Sequence, residues 1–192
     1  MTDYFALLDQ PRAPWLDPEK LKQVYHQKTL RTHPDTAAPG ESESSFAQLN
    51  EAYQVLQDVK RRLHHLLELE GHALSSADQT VPRELHDLFP AIGALAQRAT
   101  GLLEKIRTAS NALSRSLLKP EILEVQKETK ELRGKIQELS DSSLAQLRQA
   151  DSRWKNNPTD EIAALSDLYF TFAYLTRWSA QLDELAFQIS SH

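Results

Sequence analysis

The feature that most constrains this chain is an apolar periodicity running from residue 85 to residue 189. Leu85, Leu88, Ile92, Leu95, Ala99, Leu102, Ile106, Ala109 and Leu113 recur at spacings of three and four. Ile122, Val125, Thr129, Leu132, Ile136 and Leu139 repeat the pattern and lead through Leu147 and Ala150 to Trp154. Ile162, Leu165, Tyr169, Phe172, Leu175, Leu182, Leu185 and Ile189 form a third set. Such spacing lays one apolar stripe along a helix, and no alternating strand pattern competes with it. Lys119-Pro120 and Asn156-Asn157-Pro158 punctuate the stripes. Residues 82–192 are therefore expected to fold back as an antiparallel three-helix coiled coil. The first two helices should be about 37 residues each, roughly 55 Å at helical rise. Pro90 should kink the first helix or mark its start.

Residues 1–71 read differently, as four short helices sharing a small core. Thr2 or Asp3 can cap a first helix carrying Tyr4, Phe5, Leu7 and Leu8. Asp17-Pro18-Glu19 combines a capping carboxylate, a proline at the first helical position and an acid in the first turn. On that second helix Leu21, Val24 and Tyr25 share one face. Lys28 falls on the same face, where its stem must cover the core while its amine reaches water. Phe46, Leu49, Tyr53 and Leu56 make the stripe of a third helix. Asp58 can cap a fourth, with Val59, Leu63, Leu66 and Leu67 inward and Gly71 ending it in left-handed geometry. Residues 72–81 are the expected linker. The fold class is all-α.

Composition narrows the function. The chain has 192 residues, 40% of them hydrophobic and 26% charged, with only five glycines. That suits one ordinary domain or two small ones, rich in helix formers. A net charge of −5 argues against a nucleic-acid binder, whose footprint would be a basic stripe. The richest apolar run, LYFTFAYL, is far too short to span a membrane. The first ten residues have no basic start and apolar core of the secretory kind. The absence of cysteine excludes disulfides, thiolate catalysis and Cys-ligated metal within the chain, and is compatible with a reducing cytoplasm. No cofactor is called for. Neither a Ser/His/Asp arrangement nor a phosphate-cradling glycine loop has local support, so an enzyme is not expected. His64-His65 point about 100° apart on a helix, with only Glu68 at i+4, and read as surface residues rather than metal ligands.

One tripeptide stands out. His33-Pro34-Asp35 follows a basic helix and precedes a small polar stretch, TAAPGESES. Proline disfavours helical geometry in the residue before it, so His33 is a helix stop at an exposed corner. Taken alone, it could be an ordinary turn. A tyrosine eight residues before it and FAQLNEAYQVLQD behind it make residues 3–70 resemble the J domain of the DnaJ family. The opening DYFALL and the stretch RRLHHLLELEG are similar to the first and fourth helices of the HscB-type co-chaperones of iron–sulfur cluster assembly. A helical C-terminal region without Gly/Phe-rich or zinc-binding segments also suits that branch.

The resemblance implies a partner and a mode of action. A J domain docks on an ATP-driven heat-shock chaperone of the DnaK/HscA class and stimulates its ATP hydrolysis. His33, Pro34 and Asp35 would be the signalling element, with Lys22, His26 and Arg31 on or beside the helix face that meets an acidic patch. Asp35 can form a charge-assisted contact with a partner arginine, and Pro34 fixes the exit of the loop. Thr36 departs from the lysine that usually follows the motif, and Thr32 from the usual aromatic before it. The branch further implies an iron–sulfur scaffold protein as client. However, TVPRELHDLFPAIGAL has fewer acids than the segment that binds the scaffold in that branch. Leu88, Phe89, Phe170, Tyr174 and Trp178 are the apolar residues that could form a client surface; packing against neighbouring helices is the plainer role for them. An alternative is a structural or oligomerising coiled-coil adaptor whose J domain serves an unrelated client.

Overall fold

The computed structural model describes residues 2–31, 41–74 and 81–190, without side chains for 41–44. The described residues form seven α-helices, α1 (Tyr4–Leu7), α2 (Pro18–Arg31), α3 (Glu41–Gln57), α4 (Val59–Leu69), α5 (Leu88–Thr108), α6 (Ala112–Trp154) and α7 (Pro158–Ser190), with a 3-10 turn at Arg83–Leu85. The chain is all-α, as its periodicity requires. Most of the expected linker, 75–80, lies outside the described residues.

The helix ends follow from local chemistry. Asp3 Oδ1 accepts the backbone N–H groups of Phe5 and Ala6 at 3.0 and 3.1 Å, capping α1. Asp17 does the same for Glu19 and Lys20 at the head of α2. Asp58 accepts from Arg61 at 2.7 Å and starts α4. Each cap satisfies donors that a helix leaves orphaned, and is worth about 1 kcal/mol. Gly71 ends the segment with φ of 79°, a conformation that costs a residue without a Cβ nothing.

The chain divides into two compact units. The first unit takes residues 1–79 together with Leu144–Tyr169, the end of α6, the corner after it and the start of α7. Its core holds Phe5, Leu8, Leu21, Leu56, Leu63, Leu66, Leu67, Leu147 and Leu165, each almost fully buried. Two long-range hydrogen bonds tie the corner to the loop between α1 and α2. The Trp154 indole donates to Arg12 O at 2.9 Å, and Trp15 N–H donates to Asp151 Oδ1 at 3.3 Å. Arg148 lies over the Trp15 ring at 5.5 Å. Arg153 grips Glu161 through two N–H···O bonds of 2.6 and 2.9 Å, closing the corner between α6 and α7.

Beneath these, Arg62 is buried. Its guanidinium donates to Pro14 O at 2.9 Å and to Leu56 O at 2.5 Å. Burial pushes its pKa down to about 10, against the pull of Asp58 and Asp151. The side chain is therefore a positive strut that satisfies two carbonyls where no water reaches.

The second unit comprises residues 80–143 and 170–192. Leu85, Leu88, Ile92, Leu95, Ala99 and Leu102 pack with Val125, Leu132 and Ile136 of α6 and Leu175, Trp178, Leu182, Leu185 and Ile189 of α7. All but Trp178 are the heptad positions, and Trp178, from the aromatic stripe of α7, joins the same core. The direction of α6 is read from its ion pairs with α5. Arg98 pairs with Glu128 and Lys105 with Glu121, so a step of one heptad up α5 is a step of one heptad down α6. The helices are antiparallel.

One expectation fails. Lys119-Pro120 does not interrupt the bundle; α6 runs through Pro120 unbroken, and the turn lies earlier, at Ala109–Asn111. Asn111 supplies the reason, since its side chain accepts Ser114 N–H at 2.8 Å and caps a new helix there. Pro120 sits exposed inside that helix, where its missing N–H leaves the Ser116 carbonyl without its helical donor, a cost outweighed by the packing of Leu118 and Ile122 on either side. Thus α5 has 21 residues and α6 has 43, not two near-equal helices. Leu113, assigned to the inner stripe by its spacing, is 71% exposed because the helix that carries it begins only at Ala112. Pro90 marks the start of α5, in its first turn.

Candidate functional site

The site begins on α2. Leu21 is buried and Val24, Tyr25 and Lys28 are half-buried, which fixes the inward face of the helix. Tyr25 donates its hydroxyl proton to Asn50 and stacks on Tyr53, with ring centroids 4.2 Å apart, so α2 is pinned to α3 through the NEAY segment. Lys28 does not send its amine to open water; it forms a 2.8 Å ion pair with Asp9, a residue in left-handed geometry at φ 50°. That pair occupies the cation nearest the core and leaves others facing out.

Lys22 and His26 are exposed and one turn apart on the outward face. Arg31 is also exposed, but five residues after His26 it lies about 140° around the axis. The helix therefore brings Lys22 and His26 together and turns Arg31 away from that row. Leu30 was not anticipated. It is 73% exposed and one turn after His26, the outermost apolar residue of the helix. Its signal was available: the inward face set by Leu21 and Tyr25 leaves Leu30 pointing away. Phe46, expected in the inward stripe of α3, is 38% exposed, whereas Leu49, Ala52, Val55 and Leu56 make the buried face. His33, Pro34 and Asp35 lie outside the described residues.

Positive charge on α2 is concentrated. Lys20, Lys22, Lys28 and Arg31 face one acid, Glu19, on a chain whose total is −5. A face of this kind attracts an acidic surface and orients it before contact, more weakly as salt rises.

His65 departs from the surface position read for it. It is 3% exposed, and its Nε2 accepts the backbone N–H of Tyr4 at 3.1 Å. The ring also lies against Phe5 at 5.7 Å. An accepting Nε2 requires the neutral ring, and burial accordingly pushes the pKa of His65 down, opposed by Asp3 and Glu68. His65 thus fastens α1 onto α4. His64 stays half-exposed with Glu68 at 3.2 Å. No group of three metal-ligating side chains occurs among the described residues.

Four short helices with this order, an outward basic face and a His-Pro-Asp tripeptide after it match a known family. A family model described as "DnaJ domain" matches residues 3–65. Those residues form a DnaJ domain. Chaperone protein DnaJ 2 of Aquifex aeolicus is 34% identical over 113 residues, covering 52% of this chain and 28% of that protein. Human DnaJ homolog subfamily B member 3 is 35% identical over 91 residues, covering 46% of this chain and 60% of that protein. The chain thus spans about a quarter of the first of these relatives. Among solved structures, chaperone HscB from Vibrio cholerae superposes with TM-score 0.58 over 98% of this chain and 99% of its own, at 19% identity. Human co-chaperone HscB gives TM-score 0.54 over 95% and 81%, at 20% identity. The J domain therefore sits in a chain with the fold of the HscB co-chaperones.

The five apolar residues considered as a client surface all belong to the second unit and divide by burial. Leu88, Phe170 and Trp178 are buried. Tyr174 is half-buried beside Trp178, ring centroids 5.4 Å apart. Phe89 is 50% exposed, its ring edge-on to Trp178 at 6.1 Å. Phe89, Tyr174 and Trp178 form one aromatic cluster in which Phe89 is the member facing out, and Leu88 shares its core with Trp178. No helix among the described residues is long and apolar enough to cross a membrane.

Proposed function

We propose that this chain is a J-domain co-chaperone that docks on an ATP-driven chaperone of the DnaK/HscA class and stimulates its ATP hydrolysis. The observation that carries the reading is the DnaJ-domain match over residues 3–65, which contains His33-Pro34-Asp35 directly behind a helix with Lys22 and His26 outward. Lys22 and His26 meet the acidic surface of the partner, Leu30 adds an apolar contact, and Arg31 lies at the edge. The His-Pro-Asp corner then engages the motor, with Asp35 paired to a cation. Chemistry stays in the active site of the partner. This chain contributes preferential binding to its hydrolysis-competent state.

The client is an iron–sulfur cluster scaffold protein, a reading supported by the whole-length likeness to the HscB fold. Phe89, backed by Trp178 and Tyr174 with Leu88 in the same core, is the surface assigned to it, and Phe170 is a further candidate. The decisive assay is the single-turnover ATPase rate of a DnaK/HscA-class chaperone with the full chain. Wild type should raise the rate, and Asp35→Asn or His33→Gln should abolish the rise with helical content unchanged by circular dichroism. Equal stimulation by wild type and variants would end the claim. For the client, Phe89→Ala should weaken binding of a purified scaffold protein and leave the ATPase stimulation intact.

A further inference from the structure

Within the second unit, the described part of α7 covers α6 over only part of its length. Arg133 of α6 pairs with Asp183 of α7 at 2.8 Å and sets their antiparallel register. While α7 continues from Asp183 to its end at Ser190, α6 passes in the opposite sense from Arg133 to Gln126. From there to Ala112, α6 has only α5 beside it among the described helices. The position that α7 fills lower down is left as a cleft of about 310 Å³. Its floor is Ile106, Leu118 and Ile122, half-buried residues that continue the heptad core. Arg107, Arg115 and Lys119 line its walls.

The charge here runs against the rest of the chain. Residues 105–120 hold Lys105, Arg107, Arg115 and Lys119 and no acid, in a protein of net −5. Lys105 is engaged by Glu121 and Arg107 by Glu104. Arg115 and Lys119, one turn apart, are exposed and have no carboxylate partner among the described residues. Where the same groove is filled, α7 lays Leu182, Leu185 and Ile189 into it and offers Asp183 to Arg133. The empty stretch presents the same two demands, apolar side chains for the floor and carboxylates for the walls.

We propose that this cleft is a docking site for an acidic amphipathic helix of a partner protein, which adds a third helix beside α5 and α6. Its apolar residues, at spacings of three and four, sit on Ile106, Leu118 and Ile122, and its flanking carboxylates pair with Arg115 and Lys119. The site shares no residue with the J-domain face or with the cluster around Trp178.

The test is fluorescence anisotropy of the full chain with a fluorescein-labelled peptide whose leucines recur at spacings of three and four among glutamates. Saturable binding that weakens with salt is expected. The Arg115→Glu/Lys119→Glu variant should lower affinity at least about tenfold, roughly 1.4 kcal/mol, with circular dichroism and ATPase stimulation unchanged. Absence of saturable binding, equal binding by the variant, or equal binding of a peptide with lysines for glutamates would overturn the proposal. So would co-sedimentation with phosphatidylserine vesicles that the acidic peptide fails to compete. Self-association seen by light scattering and lost in the variant, without peptide binding, would instead assign the cleft to a second copy of this chain.

Discussion

Replacing Arg62 with methionine is the most direct probe of what holds the first unit together. Methionine keeps much of the aliphatic stem but supplies no donor. Pro14 O and Leu56 O then lose their partners in a site that water does not reach. A buried acceptor left unsatisfied costs about 1–3 kcal/mol, so the two together cost about 2–6. Two effects pull that figure down. The variant no longer desolvates a guanidinium, whose penalty is visible in a pKa depressed to about 10. Asp151 is also not stranded, because Lys155 at 3.0 Å and the Trp15 N–H still hold it. The net expectation is a loss of about 3 kcal/mol, at the lower end of values for breaking a buried charge pair. Arg62→Lys should lose less, because an ammonium keeps the charge but is not pre-shaped to reach both carbonyls. Urea unfolding followed by tryptophan fluorescence measures this, in a Trp178→Phe background so that Trp15 and Trp154 report on the first unit alone. A loss below about 1 kcal/mol for Arg62→Met would refute the reasoning, because the strut would then be holding nothing.

Other perturbations have equally definite outcomes. The ring of His65 is neutral in the fold and its pKa is depressed from 6.5, so stability is complete above pH 6.5 and is lost as pH falls toward the folded pKa. His65→Gln, which can still accept from Tyr4 N–H, should flatten that dependence in urea titrations between pH 7.5 and 5. Pro120→Ala should raise stability by about 1–2 kcal/mol, since it restores a helix N–H at a modest cost in unfolded-state entropy; a decrease would mean that the proline has a role its exposure hides. Trp154→Phe removes the indole bond to Arg12 O and should cost about 1–2 kcal/mol without affecting the second unit. Leu102→Ala, in the fully buried seam of α5, should cost about 2–5 kcal/mol in thermal unfolding.

What could be read from the sequence was whatever is decided locally. Asp3, Asp17, Asp58 and Gly71 end helices through bonds within a turn, and each does so where the residue pattern put it. Heptad residues such as Leu88, Ile92, Leu95, Val125, Leu132, Leu182 and Ile189 pack as their spacing required because a stripe has one way to be buried, whereas Leu113 does not. Pro120 was misjudged because its penalty is a local preference, whereas Leu118, Ile122 and Val125 on either side are held by the bundle. His65 was misjudged because a histidine counts as polar until a specific donor, here Tyr4 N–H sixty-one positions away, makes it a core residue. No local signal pairs Trp15 with Asp151 or Arg12 with Trp154; those bonds exist only once the fold exists. On the J-domain face, Lys22 and His26 were legible from helical spacing, while the offset of Arg31 and the exposure of Leu30 emerged from the placement of the inward face.

The pairing of Trp15 with Asp151 spans 136 positions, and it bears on how the molecule is made. A ribosome delivers residues 1–79 well before Leu144–Tyr169, the stretch that finishes their shared core. At about 5–20 residues per second the newborn first segment waits several seconds with part of its apolar surface uncovered. Leu144–Tyr169 thus acts as a late clasp for residues 1–79, and nascent chains stalled before residue 144 should be protease-sensitive at α1 and α2.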